Sequence, residues 1–162
     1  MPNDTTPAIA NLIPGTPRLS RKKTASRWWA ETGMQVQFFD LDPMEIVWHG
    51  NYVKYLEVAR CALLDKIDYN YLQMKASGYA WPIIDLQLRY ISAAQFGQQL
   101  LLRADIVEWE NRLKIDYLIS CASSGKRLTR ASTTQVAIDI ASGEMCFASP
   151  PILLQKLGVE TV

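Results

Sequence analysis

Histidine is nearly missing from this chain: one residue, His49, in 162. A single imidazole rules out an HExxH zinc site and a Cys/His finger, and a Ser-His-Asp hydrolase would have to use His49 itself. Cysteine is also sparse. Cys61, Cys121 and Cys146 are odd in number, widely spaced and set among apolar neighbours, which suits buried thiols in a reducing compartment and not a secreted disulfide framework. No run of about 18 apolar residues is present, and the N-terminus lacks the apolar core of a secretory signal. The expectation is a soluble, cytoplasmic protein without a membrane span. Net charge is only +1 and is unevenly placed, because Arg18, Arg21, Lys22, Lys23 and Arg27 face one acid, Asp4, in the first 30 residues and leave the remainder mildly acidic. A nucleic-acid module carries its basic stripe on the folded body; this body has none, so nucleic acid is not expected as a partner.

What is present describes one domain with a preceding arm. A chain of this length buries roughly two-thirds of its unfolded surface and needs neither disulfide nor structural metal. Residues 1–26 carry Pro2, Pro7, Pro14 and Pro17 among Asn, Thr and Ser and read as a flexible basic arm, either solvated or a hook for an anionic carrier or surface. Residues 27–162 read as the domain, opening at Trp28-Trp29. Met34, Val36 and Phe38 alternate as a half-buried strand. From Tyr52 to about Ile67 no Gly or Pro occurs, and Lys54, Glu57, Cys61, Asp65 and Asp68 form a narrow polar stripe on an otherwise apolar cylinder. That pattern predicts a helix mostly enclosed by the core, with Asn51 as its N-cap.

Four alternating segments follow, on Ile84-Leu86-Leu88-Tyr90, Leu100-Leu102-Ala104-Ile106, Leu113-Ile115-Tyr117-Ile119 and Thr134-Val136-Ile138-Ile140. Turn-forming breaks at Glu110-Asn111, Ser123 to Lys126 and Ala141 to Gly143 make the strands from about 99 onward antiparallel neighbours. A last strand, Glu144 to Ala148, stops at Pro150-Pro151. The layout is α+β: one long helix, then an antiparallel sheet wrapped over it.

The residues with most chemical character lie between the first strand and the helix: Phe38-Phe39-Asp40-Leu41-Asp42-Pro43-Met44-Glu45-Ile46-Val47-Trp48-His49-Gly50-Asn51-Tyr52. This stretch, with Tyr55-Leu56-Glu57-x-Ala59-Arg60 after it, resembles acyl-CoA thioesterases of the 4-hydroxybenzoyl-CoA thioesterase type, members of the hotdog-fold superfamily. Their pattern is Asp-x-Asp-Pro/Ala-x-Gly-x-Val-Trp/Tyr-x-x-Asn-Tyr before the central helix. The resemblance implies a hotdog fold, thioester hydrolysis on coenzyme A or acyl carrier protein, no cofactor or metal, and a homodimer or homotetramer. It places the catalytic carboxylate on Asp42, the oxyanion-donating amide on His49, and substrate contacts on Asn51 and Tyr52.

Elementary chemistry agrees with that placement. A thioester carbonyl under attack gains oxyanion character, which the unpaired amides and positive end of a helix N-terminus can receive. An aspartate is ionised at neutral pH and can attack to give a mixed anhydride or activate water. Other readings stay open for each residue: Asp42 as a turn opener before Pro43, Asp40 as structural, His49 as a side-chain acid or base, and Glu57 in an i,i+3 ladder with Lys54 and Arg60. Arg89, Lys126, Arg127 and Arg130 are candidates for coenzyme A phosphates, or solvated charges. Glu45 departs from the pattern, standing where the family has glycine; either the backbone needs no glycine conformation there or the loop takes another path. A non-catalytic acyl-thioester binder and, more remotely, a hotdog dehydratase are the alternative functions.

Overall fold

The computed structural model describes residues 26–159, so the expected arm, residues 1–26, lies almost wholly outside the described residues. The chain runs β1 (Trp29–Gln35), a 3-10 turn (Phe38–Asp40), α1 (Asn51–Lys66), α2 (Tyr71–Ala76), β2 (Tyr79–Ala80), β3 (Ile83–Tyr90), β4 (Gln99–Glu108), β5 (Leu113–Cys121), β6 (Arg127–Gln135), β7 (Ile138–Asp139) and α3 (Pro151–Leu157). Five strands form one antiparallel sheet in the order β1-β4-β5-β6-β3, while β2 and β7 pair separately. The α+β layout is as the sequence predicts.

The sheet wraps α1, which packs on β1, β4 and β5. Strand periodicity produces this core directly. Leu100, Leu102, Ala104 and Ile106 of β4 and Leu113, Ile115, Tyr117 and Ile119 of β5 are all buried, each set on one face because successive side chains alternate. They meet Leu56, Ala59, Leu63 and Leu64 of α1, also buried; full burial of one such leucine contributes about 1.5–3 kcal/mol. The helix ends where Asp68 takes a left-handed φ of 55° and Tyr69 N–H reaches back to the Leu64 carbonyl at 2.9 Å, a Schellman-type closure with Asp in the place glycine usually holds.

Several expected boundaries move. The first strand ends at Gln35, and Phe38 enters the 3-10 turn with its ring exposed. The 134–140 segment is not one strand: β6 runs from Arg127 to Gln135, and β7 turns away to pair with β2. Glu144 to Ala148 makes no strand beyond a single bridge between Met145 and Ile138. Pro150-Pro151 begins helix α3 where a stop was expected, since proline suits a first helical turn, and Leu153 and Leu157 seal the core from it. Asn51 is the first helical residue and Gly50 the N-cap; the Asn51 side chain faces inward instead.

Trp28 and Trp29 are both anchored to the body of the fold. Trp28 packs edge-on to Trp109 at 4.6 Å and donates its indole N–H to the Leu157 carbonyl at 3.0 Å, while Trp29 lies under Lys66 and Arg103. The three cysteines are free thiols. No helix among the described residues is long and apolar enough to cross a membrane.

Candidate active site

A small hairpin joins the 3-10 turn to α1. Leu41 bridges Val47 in antiparallel fashion, Asp42 N–H donates to the Ile46 carbonyl at 2.8 Å, and Glu45 N–H donates to the Asp42 carbonyl at 2.9 Å. This is the pattern of a three-residue loop, a tight turn closed by one left-handed residue. That residue is Glu45, with φ 62°. The position therefore does require the conformation that glycine adopts freely, and a glutamate occupies it at a steric cost.

Asp42 opens the turn, as its place before Pro43 suggests, with Oδ1 accepting Met44 N–H at 2.8 Å. This bond anchors the carboxylate without burying it, for Asp42 is only partly covered. Turn opener and chemically available carboxylate are thus one residue.

Asp40 is structural. It is buried; its Oδ2 accepts Gln37 N–H at 2.9 Å, and its carbonyl accepts both Trp48 N–H at 2.9 Å and Asn51 Nδ2 at 2.8 Å. One carbonyl thereby ties the incoming arm of the hairpin to the outgoing arm and to the start of the helix. Burial, with the Asp40 carboxylate beside it, holds the Tyr55 hydroxyl well above the ordinary tyrosine range.

The outgoing arm ends at Trp48-His49-Gly50. The amides of His49 and Gly50 donate to no acceptor among the described residues, and they immediately precede the first turn of α1, where the helix dipole adds positive potential. Gly50 has an ordinary helical φ of −71°. Its requirement is space, since a Cβ there would lie 2.3 Å from the Trp48 ring. The His49 side chain is exposed, 5.0 Å from the Trp48 ring, and makes no hydrogen bond among the described residues; its carbonyl accepts from the Tyr90 hydroxyl at 2.8 Å.

Asn51 and Tyr52, expected to touch substrate, are both buried and both have internal partners. Asn51 holds Asp40, and the Tyr52 hydroxyl accepts Ala94 N–H at 3.2 Å. Their work is to fix the hairpin and the 92–98 segment, which also meets the hairpin through an Ile46–Gln95 bridge and Val47 N–H to the Ala94 carbonyl at 2.9 Å. Against that segment lies a groove of about 400 Å3 lined by Ser92, Gln95, Phe96, Gln98, Lys126 and Leu128. Lys126 thus shares a groove with Gln95, the residue that bridges the hairpin. Arg89 and Arg130 are cross-strand partners, on the face opposite Leu88 and Ala131 and so away from α1. Arg127 begins β6 and is exposed.

Glu57 does pair with Arg60, but the pair is more than a surface ladder. Arg60 is buried, with Nε donating to the Tyr71 hydroxyl at 2.7 Å and one terminal nitrogen to the Tyr117 hydroxyl at 3.4 Å. Two contributors escaped the sequence reading. Tyr90 is 41 residues from its partner His49 and no local pattern marks it. The groove lined by the 92–98 segment is likewise a product of tertiary pairing alone.

Residues 36–157 match the thioesterase-like superfamily, and the chain belongs to it. The Synechocystis protein sll0410, classed provisionally as an esterase, is 32% identical over 130 residues, covering 80% of this chain and 78% of its own. Among solved structures, the 1,4-dihydroxy-2-naphthoyl-CoA thioesterase of Synechocystis superposes with a TM-score of 0.72 at 22% identity, over 80% of this chain and 96% of that one. A 4-hydroxybenzoyl-CoA thioesterase complexed with 4-hydroxybenzoyl-CoA gives 0.70 at 18% identity, over 80% and 98%. The fold is the hotdog fold, and the chain is an enzyme of the thioesterase class, as the motif's resemblance implies.

Proposed function

We propose that this chain hydrolyses an acyl thioester of coenzyme A, with Asp42 delivering the attack and the His49 amide receiving the developing oxyanion. The observation that carries the reading is the hairpin itself: it sets an anchored, accessible carboxylate on one arm and two amides without protein acceptors on the other, at a helix N-terminus. In one route an Asp42 oxygen bonds to the acyl carbon, the C–S bond breaks, the thiolate leaves, and water cleaves the mixed anhydride. In the other, Asp42 takes a proton from the water that attacks. The groove beside the hairpin supports coenzyme A as the leaving group, for Gln95, Gln98 and Ser92 suit the amides of a pantetheine arm and Lys126 suits a phosphate.

The edge of β3, unpaired among the described residues, supports a homodimer, alone or within a homotetramer. Ile83, Ile84, Leu86, Tyr90 and Ile91 are exposed together, as are Val53 and Val58 on α1, and an unpaired apolar edge strand is satisfied by a second copy.

Thiol release from a panel of acyl-CoAs and the same acyl groups on carrier protein tests the reading. The expected result is turnover on coenzyme A thioesters that Asp42→Asn abolishes without loss of fold. Binding of the whole panel without thiol release would leave the chain a non-catalytic binder and overturn the proposal. Turnover in 18O-water then separates the routes, because water attack on the Asp42 carbonyl of a mixed anhydride leaves label in the Asp42 side chain, which the general-base route never does.

A further inference from the structure

The two amides that open α1 are not held in the same way. A peptide unit is planar, so the N–H of one residue and the carbonyl of the residue before it turn as one body. The His49 N–H shares its unit with the Trp48 carbonyl, which accepts Asn51 N–H at 2.9 Å; that unit is fixed by the helix's own first turn. The Gly50 N–H shares its unit with the His49 carbonyl, and this accepts from the Tyr90 hydroxyl at 2.8 Å. The second unit is therefore fixed from outside the loop, by the last residue of β3. The Tyr90 ring is seated for it, 5.4 Å from the buried Tyr52 ring and 6.5 Å from the His49 ring, edge-on to both.

We propose that Tyr90 is a positioning residue for the reaction, and that through the His49 carbonyl it aims and polarises the Gly50 amide as a second donor to the thioester oxygen. The inference rests on the hydrolysis proposed above. A hydrogen bond accepted by a carbonyl strengthens the N–H of the same peptide unit as a donor, since bonds in a chain polarise one another. Two adjacent amides, each with its carbonyl end engaged and its N–H end unbound, make a two-donor oxyanion site of the kind that stabilises acyl transfer. The phenol is half exposed, and its hydrogen bond goes to the His49 carbonyl and not to Asp42. Its placement on β3 also couples donor geometry to the strand expected to form the subunit interface.

The test removes only the hydroxyl. Deleting an oxyanion donor outright costs about a hundredfold or more; loosening one by Tyr90→Phe is expected to lower kcat about tenfold, with KM held within about twofold and melting and oligomeric state unchanged. The discriminating readout is the infrared stretch of the thioester carbonyl bound to the Asp42→Asn protein. Adding Tyr90→Phe should move that band to higher frequency, because the oxygen is less strongly held. 3-Fluorotyrosine at position 90, a stronger donor, should move it lower, and this variant carries the test if the phenylalanine form fails to fold. An unmoved band in both, or wild-type kcat in Tyr90→Phe, overturns the proposal; so does a lost kcat with an unmoved band, which would make Tyr90 merely structural. Failure of the reaction itself shows separately, as no thiol release by the unsubstituted protein.

Discussion

Strands β5 and β3 lie one strand apart in the same sheet, yet they are buried in opposite ways. In β5 every second residue from Leu113 to Cys121 is buried and the others are half-covered. In β3 seven of eight residues are exposed, apolar and polar alike. The cause is position: β5 is flanked by strands on both sides and lies under α1, whereas β3 has a neighbour on one side only among the described residues. Stability accordingly resides in the half of the sheet formed by β1, β4 and β5 with α1. The proposed chemistry and assembly fall in the other half, where Tyr90 bonds the His49 carbonyl and the 92–98 segment bridges the hairpin through Gln95 and Ile46.

The sharpest way to break this division is to remove packing from the stable half. Leu102 is wholly buried in β4, and Leu102→Ala is expected to cost about 2–5 kcal/mol from lost transfer energy and the cavity left behind, read by urea denaturation. A loss below about 1 kcal/mol would mean that β4 is not where the fold is held. Asp42→Asn should behave inversely. Asparagine keeps an oxygen to accept Met44 N–H, so melting should shift little while turnover falls at least about a hundredfold. An Asp42→Asn protein that turns over normally would remove the hairpin from the chemistry.

On the open strand, Leu86→Asp places a charge where a second copy is expected to pair. Sedimentation should show monomers at concentrations where the parent chain is dimeric, with the monomer's circular dichroism unchanged; an intact dimer would put the interface elsewhere. His49→Ala is expected to lower kcat by less than about tenfold, because the exposed imidazole contributes no bond while the backbone amide survives substitution. General acid–base catalysis contributes about a hundredfold or more, so a loss of that size would return the histidine side chain to the centre of the mechanism.

The stable half was also the legible half. Period-two alternation in 100–106 and 113–119, and the narrow polar stripe on 52–67, are written by burial on one face and can be read back from it. The hairpin was legible because its special residues are contiguous, from Asp40 to Tyr52. Elsewhere the signal was absent or misleading. β3 alternates as though one face were buried, but the structure leaves both faces open, since sequence reports which residues want cover and not what covers them. The β6–β7 division was hidden because Thr134 to Ile140 keeps its alternation across the break. The Tyr90–His49 bond depends on strand order alone, which no local pattern encodes.

Glu45 sharpens the comparison most finely, because there the hairpin of the proposed site carries its strain at a single backbone angle. Its φ of 62° lies where a side chain costs about 1–2 kcal/mol, and the turn bonds at Asp42 and Ile46 hold it there. Glu45→Gly removes the clash but adds about 0.5–1 kcal/mol of unfolded-state freedom to be lost, so the net gain should lie between about 0 and 1.5 kcal/mol by thermal unfolding. Glu45→Ala, which keeps the Cβ, should gain nothing. If the glycine form is more stable with unchanged kcat, the glutamate side chain plays no part in the chemistry; if stability rises while kcat falls, the side chain contributes to the reaction at the expense of the fold. A glycine form less stable than the alanine form would show that the strain at residue 45 is smaller than the freedom glycine adds.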